Sequence, residues 1–157
     1  KADQEIVLEA VKQTSGTFEY AHVDMRANRD FVLEAVKTDG LALEYAADDL
    51  KADQEIVLEA IKATGYAIKY AHADMRANRD FVLEAIKVSG WALKYAADDL
   101  KADQEIVLEA VKQTGCAFEY ACADMRANRD FVLEAVKTDG WAFEYAADDL
   151  KADQEIV

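Results

Sequence analysis

The chain has 157 residues, and 52% of them are hydrophobic, which is enough to bury a core of ordinary domain size. Thirty-two acidic residues against eighteen basic ones give a net charge of -14. This charge opposes binding to nucleic acid and to anionic membranes, so basic or apolar partners are expected instead. No apolar run reaches the length of a membrane span.

An internal repeat organises the whole sequence. Residues 1–50 and 101–150 differ at only seven positions, and each stretch of fifty divides into two related stretches of 25. A period of this size is typical of stacked supersecondary units, so a single continuous array is predicted. The incomplete last copy predicts that the chain is a window of a longer array. We number repeats 1 to 6 and positions within them as places 1 to 25; the repeats are 1–25, 26–50, 51–75, 76–100, 101–125 and 126–150, followed by the start of a seventh at 151–157.

The first helix of each repeat is predicted from apolar residues at places 6, 7, 8, 10 and 11, which in repeat 1 lie between Ile6 and Val11. They form a broad stripe at helical spacing. Asp3 in repeat 1 and Asn28 in repeat 2 are predicted N-caps, because short polar side chains accept hydrogen bonds from the first free backbone N–H groups.

A glycine and a second, shorter helix are predicted to complete each repeat. We expect the glycine at place 15 of five repeats to end the first helix with a positive φ; these glycines are Gly40, Gly65, Gly90, Gly115 and Gly140. The apolar set of the second helix is represented by Ala42, Leu43, Tyr45, Ala46 and Leu50. The predicted fold class is all-α: a right-handed α-solenoid of six 25-residue helix-turn-helix hairpins, with a 50-residue higher-order period.

The two cysteines, Cys116 and Cys122, are predicted to be free thiols. Six residues apart on one helix, they would be separated by about 9 Å along the axis and would lie on different faces. That separation exceeds the reach of a disulfide.

The run EIVLEAVKQTGCAFEYA, from Glu105 to Ala121, resembles the tandem helical repeats of the domain-of-unknown-function 4116 family. The shared elements are the acidic residue at place 5, the Val-Leu pair, Ala-Val/Ile-Lys, the glycine and the Tyr-Ala pair; the resemblance covers all six repeats, although in repeat 1 the glycine stands one place later, at Gly16. The resemblance implies an all-helical repeat array and supplies no catalytic residue.

The candidate partner-binding residues lie at two variable places. Place 16 supplies one candidate side chain in each of five repeats, and these are Leu41, Tyr66, Trp91, Cys116 and Trp141. If exposed, such aromatics suit contacts to a partner protein; the alternative is that they are partly buried under the turn. His22 and His72 share place 22 and complete the set of candidates.

No metal, cofactor or catalytic site is predicted. The two histidines would be two layers apart, roughly 20 Å, which is too far for one zinc ion. Lateral contact between two chains is the remaining way to assemble such a site, and packing or surface histidine is the other interpretation. The paired aspartates, such as Asp48 and Asp49, lack the loop that a calcium site uses.

Two functions remain open. The first is a non-enzymatic repeat scaffold that binds a protein or peptide. The alternative is a structural solenoid that stacks end to end into a filament, in which case charges at Val7 and Ile156 should prevent association.

Overall fold

The computed structural model of the protein describes residues 2–14 and 16–152. Within these residues the fold is all-helical, without a β-strand, and no helix combines the length and apolar character that a membrane span requires. Each repeat has a main α-helix, and these span Ala2–Gln13, Arg29–Thr38, Gln54–Ala63, Arg79–Val88, Gln104–Gln113 and Arg129–Thr138. A 3-10 helix follows each one, at Thr17–Tyr20, Gly40–Tyr45, Ala67–Tyr70, Gly90–Tyr95, Gly115–Tyr120 and Gly140–Tyr145. Short helical turns connect the repeats, at Val23–Arg26, Leu50–Ala52, Ala73–Ala77, Leu100–Ala102, Ala123–Ala127 and Asp148–Lys151.

The chain divides into two compact units, which we call the first half, Lys1–Phe81, and the second half, Val82–Val157. The boundary falls inside the main helix of repeat 4. The single continuous array stays a prediction.

Polar caps and an apolar stripe define the main helices. The Asn28 side chain accepts a hydrogen bond from the Phe31 N–H at 3.0 Å, as predicted, and Asp53 caps Ile56 in the same way at 3.1 Å. Each such cap is worth about 1 kcal/mol. In repeat 1 the helix already begins at Ala2, so Asp3 lies inside it and is not its N-cap. The buried stripe uses places 6, 7, 10 and 11, which in repeat 3 are Ile56, Val57, Ala60 and Ile61.

The second helix of each repeat is a 3-10 helix and not the predicted α-helix. In repeat 2 the buried residues Gly40, Leu43 and Ala46 are spaced by three, the period of a 3-10 helix. The helix ends where Ala46 takes an extended conformation, with φ -65° and ψ 154°. Leu50 therefore belongs to a separate short turn. The prediction that Leu50 belongs to the second helix was therefore wrong.

A backbone hydrogen bond closes repeats 2, 3, 5 and 6 just after the 3-10 helix. The N–H at place 22 donates to the carbonyl at place 1 of the same repeat, from Ala47 to Arg26 and from His72 to Lys51, both at 2.9 Å. The second half repeats the bond from Cys122 to Lys101 at 2.9 Å and from Ala147 to Arg126 at 2.8 Å. Because the N–H is used in this way, it does not extend the helix.

Two of the place-15 glycines, Gly40 and Gly90, serve close packing and not a positive φ. Among the described residues only Gly16 has a positive φ, of 87°, so the predicted role was wrong. A Cβ added at Gly40 would overlap the carbonyl oxygen of Ala60. At Gly90 it would lie 2.8 Å from the carbonyl oxygen of Ala110. In both cases the glycine packs under the main helix of the following repeat.

An ion-pair cluster joins repeats 2 and 3 in the first half. Arg29 donates from Nε to Asp53 at 2.8 Å and from Nη2 to Glu55 at 2.5 Å. We call these three residues the inter-repeat clamp. The hydrogen bond to Asp53 is the largest cause of the raised pKa of Arg29. Partial burial alone would raise the pKa of Asp53, but the hydrogen bonds from Arg29 and the Ile56 backbone outweigh it and lower that pKa.

The main helix of repeat 1 is less buried than its equivalents. Ile6 is 68% exposed, whereas Ile56 and Ile106 at the same place are fully buried. In the first half, the main helix of repeat 2 packs against the helix that carries Ile56. No described residue covers Ile6 to that extent.

Both cysteines are free thiols, as predicted, and both are half-buried. The assumed geometry was wrong, however. Cys116 lies in the 3-10 helix that ends at Tyr120, and Cys122 follows that helix, so the two residues do not share one helix.

Candidate functional site

The predicted place-16 residues differ in exposure. Trp141 is 68% exposed, Tyr66 46% and Trp91 43%, whereas Leu41 and Cys116 are half-buried. Place 16 opens the 3-10 helix, and in such a helix residues three apart lie one above the other. Places 16 and 19 therefore share a side, with place 20 next to them. We call the side chains at places 16, 19 and 20 the 3-10 face.

A column of tyrosines belongs to this face and was missed as a candidate. Place 20 is tyrosine in every repeat, at Tyr20, Tyr45, Tyr70, Tyr95, Tyr120 and Tyr145. Tyr20 is 83% exposed and the other five are half-buried. The sequence interpretation counted Tyr45 among core residues. The sequence did contain a signal: the second helix of each repeat ends with a tyrosine. A buried tyrosine needs a hydrogen-bond partner for its hydroxyl, so this place suits a surface better than a core.

In the second half, place-16 side chains contact the tyrosine of the following repeat. The rings of Trp91 and Tyr120 meet edge to face, with their centroids 6.2 Å apart. Cys116 is hydrogen-bonded to Tyr145 in the next repeat. Places 16 and 20 of successive repeats thus form one aromatic surface within this half.

Lysines at place 19 lie on these rings in two repeats. In the first half, the ammonium of Lys69 is 4.4 Å from the ring centroid of Tyr70 and 5.7 Å from that of Tyr66. In the second half, Lys94 lies 5.6 Å from Tyr95 and 5.4 Å from Tyr120. These distances are typical of cation–π interactions.

Where place 19 is glutamate, the tyrosines meet a carboxylate instead. Burial raises the pKa of Tyr120, and the hydrogen bond to Glu119 raises it further. The hydrogen bond with Cys116 is the largest cause that raises the pKa of Tyr145 to about 12, followed by burial. Glu144 and Glu119 add to this effect through their negative charge.

The two histidines cap short helices. The Nδ1 of His22 accepts a hydrogen bond from the Asp24 N–H at 3.3 Å, and His72 does the same for Asp74. An accepting Nδ1 carries no proton, so the 3.4 Å approach of the aspartate oxygens is not an ion pair in this tautomer. Cys122, at the same place in repeat 5, makes no such cap.

A cleft of 430 Å³ in the first half brings His72 close to three carboxylates and Asn78. The carboxylates belong to Asp48, Asp49 and Asp74. Across the part of the chain that the structure describes, no three histidine, cysteine or acidic side chains are arranged to hold a metal ion.

A second cleft, of 500 Å³, lies between repeats 5 and 6 in the second half. Its charged and aromatic lining consists of Glu119, Arg126, Glu144, Tyr145, Asp148 and Lys151. Lys151 is paired with Asp148 at 3.5 Å. This cleft therefore brings two glutamates of the 3-10 face, Glu119 and Glu144, together with Tyr145.

Comparison with known protein families finds a match to the family described as domain of unknown function (DUF4116), at residues 28–76, 78–126 and 128–157. These matches cover most of the chain. The protein belongs to the DUF4116 family. A search of the curated proteins and a search of the solved structures found no match.

The DUF4116 matches agree with the fifty-residue period. They begin at residues 28, 78 and 128, which are the asparagines that cap the main helices of repeats 2, 4 and 6. One DUF4116 unit therefore holds an asparagine-capped repeat followed by an aspartate-capped one. The resemblance was expected across all six repeats, whereas the matches leave residues 1–27 outside.

Proposed function

We propose that this DUF4116 protein is a non-enzymatic repeat scaffold that binds a protein or peptide through its 3-10 face. The observation that carries the proposal is the exposure of Tyr66, Trp91 and Trp141, together with Tyr20, on that face. Tryptophan and tyrosine dominate binding energy at protein interfaces, because they bury a large area at a small cost in side-chain entropy.

The place of these rings within the repeat supports the proposal. Ala42 and Leu43 of repeat 2, which follow place 16 in the same 3-10 helix, are fully buried and hold the helix in position. Large rings on a rigid element lose little freedom when a partner binds. The place-16 residues are also among those that vary between repeats, which suits recognition of a partner with an irregular surface.

We also propose that the six repeats continue as one right-handed α-solenoid. The contacts of Gly40 with Ala60 and of Gly90 with Ala110 support regular stacking within each half, since the same places meet in both. The hand of the superhelix rests on the expectation for the repeat class. Small-angle X-ray scattering would test the continuous array, which we expect to span roughly 50–60 Å at 8–10 Å for each layer.

Selection from a random peptide library would test the binding function. The library would be panned on the wild-type chain and on a Trp91→Ala/Trp141→Ala variant. Ile6→Ala is the matched control, because Ile6 is as exposed as Trp141 but lies outside the 3-10 face. We expect peptides that bind the wild type and the control but not the double variant. Peptides that bind all three chains equally would refute the proposal.

A structural role is the second candidate, and the exposure of Ile6 favours it. This side chain is 68% exposed at a place that is fully buried in repeats 3 and 5, so a second copy could cover it. Ile156, the other residue proposed for the charge test, lies outside the described residues. Light scattering over a concentration series would test this role in Ile6→Glu/Val7→Glu and in the wild type. A wild-type mass that stays at 17.4 kDa would rule out stacking.

A further inference from the structure

The cleft between repeats 5 and 6 is lined by carboxylates and a tyrosine ring, and the equivalent position one repeat earlier holds a lysine of the chain itself. Glu119 occupies place 19 of repeat 5, next to Tyr120 in its own repeat and close enough to Tyr145 of repeat 6 to raise its pKa. Glu144 lines the same cleft. Tyr145 and the carboxylates of Glu119, Glu144 and Asp148 therefore line a space of 500 Å³, and Tyr120 follows Glu119 directly in the sequence.

One repeat earlier, the equivalent position is occupied by a lysine. Lys94 also stands at place 19, and its ammonium lies 5.6 Å from the ring of Tyr95 and 5.4 Å from that of Tyr120. It thus lies between the tyrosine of its own repeat and that of the next. Lys69 shows the same preference in the first half, 4.4 Å from Tyr70. The surface made by successive tyrosines accepts a lysine ammonium wherever the chain supplies one.

We propose that the cleft between repeats 5 and 6 binds a lysine side chain from a basic segment of a partner protein. The ammonium would lie between Tyr120 and Tyr145, in the position that Lys94 takes one repeat earlier, with Glu119 and Glu144 beside it. Rings and carboxylates act together here, since both attract a cation. This inference rests on the proposed binding function and names the chemistry of its partner.

The charges around the cleft agree with a cationic guest. Lys151 is already paired with Asp148, at 3.5 Å. Arg126 is the other cation that lines the cleft, and its Nε is buried without a hydrogen-bond partner in the described part of the chain. Among the described residues, no cation lies over the ring of Tyr145. The chain as a whole carries a net charge of -14, which attracts a basic segment from a distance.

Two reciprocal substitutions test the proposal without introducing a side chain that is new to the place. Glu119→Lys supplies the cleft with its own ammonium, as in repeat 4, and should block the guest. Lys94→Glu removes the internal ammonium between Tyr95 and Tyr120 and should create a second site. The probe is a fluorescein-labelled peptide of alternating glycine and lysine, followed by fluorescence anisotropy at low ionic strength. We expect Glu119→Lys to weaken binding about tenfold and Lys94→Glu to strengthen it about threefold.

Two controls separate this site from general charge attraction. Glu134→Lys makes the same charge change on an exposed part of a main helix, outside the cleft. We expect it to change affinity about twofold at most. The same peptide with acetylated lysines keeps its length but loses its charge, and we expect it not to bind. Circular dichroism and thermal melts would establish that each variant is folded.

Three outcomes would overturn the inference. The first is an unchanged affinity in Glu119→Lys, or no binding of the lysine peptide to the wild type. The second is an equal loss in Glu134→Lys, which would mean that net charge alone attracts the peptide. The third is equal binding of the acetylated peptide. None of these results would refute the binding function, which the library selection on Trp91 and Trp141 tests separately.

Discussion

Replacing a place-15 glycine with alanine should have opposite effects in repeats 4 and 6. At Gly90 an added Cβ would lie 2.8 Å from the carbonyl oxygen of Ala110 and 3.0 Å from side-chain atoms of Gln113 and Thr114. At Gly140 no described atom lies within 4 Å of the added Cβ. Neither glycine has a positive φ, so the two substitutions differ in available space and not in backbone conformation.

The expected magnitudes follow from this difference in space. To reach ordinary contact at Gly90, the end of the next main helix must move by about 0.6 Å, and such overpacking costs about 1–3 kcal/mol. Both alanines also reduce the freedom of the unfolded chain, which stabilises the folded state by about 0.4–1 kcal/mol. We therefore expect Gly90→Ala to lose about 1–2 kcal/mol and Gly140→Ala to gain about 0.5 kcal/mol.

Urea unfolding followed by circular dichroism would measure both free energies. The two variants share the substitution and the place in the repeat, so Gly140→Ala is the control for Gly90→Ala. Equal losses of about 1 kcal/mol in both would indicate that the backbone conformation requires glycine. That result would refute the close-packing argument.

Three further predictions concern burial and ionisation. Ile56→Glu should destabilise the first half by several kcal/mol, whereas Ile6→Glu at the same place should cost less than about 0.5 kcal/mol; thermal melts of the two variants would show this contrast, and similar losses would contradict the burial difference. Arg29→Gln removes the cation of the inter-repeat clamp and should lower the stability of the first half at neutral pH, as urea unfolding would measure. The clamp lowers the pKa of Asp53, so the loss of stability should disappear as the pH falls below the pKa of an ordinary aspartate and then through the lowered pKa of Asp53. A loss that persists in strong acid would argue against the clamp. Cys116→Ala should lower the pKa of Tyr145 from about 12 toward its usual value, as seen by tyrosinate absorbance. A raised tyrosine pKa stabilises the fold below about pH 10 and loses that effect as the pH rises toward 12, so an unshifted titration in the variant would exclude the thiol as the cause.

The alternation of cations and anions along the 3-10 face has a consequence for binding. Lys69 and Lys94 lie over the rings of Tyr70, Tyr95 and Tyr120, whereas no described cation lies over the ring of Tyr145, where place 19 is Glu144. The same surface is therefore self-occupied in some repeats and open in others. A partner with lysines at a matching spacing would bind the open repeats selectively.

Much of the fold could be predicted because it depends on local patterns. The apolar stripe at helical spacing predicted the main helices, and Asn28 was correctly identified as an N-cap from its residue type and position. The fifty-residue period was visible as near-identity of whole segments, and the DUF4116 matches start at the same spacing.

The candidate site was predicted less completely, because exposure depends on neighbouring repeats. Place 16 was predicted as a candidate because it varies between repeats, and its three aromatic residues are all exposed. Tyr45 was counted in the apolar set of the second helix, and the place-20 tyrosines were not among the predicted site residues. Their pairing with Trp91, Cys116 and Lys94 of the preceding repeat is a contact between residues 25 or more positions apart, which local patterns do not report.

The sequence by itself determined the repeat, the main helices and their caps, since these follow from hydrophobic spacing and from side chains within a few residues. Only the tertiary structure decided that the second helix is a 3-10 helix and that glycine at place 15 serves close packing. An isolated segment such as LALEYAADDL carries no breaker against a longer α-helix. The hydrogen bond from Ala47 to Arg26 withdraws the N–H that would extend the helix, and Gly40 packs under the main helix of the next repeat. These interactions exist only once neighbouring segments are in contact, because they join residues that are distant in the sequence.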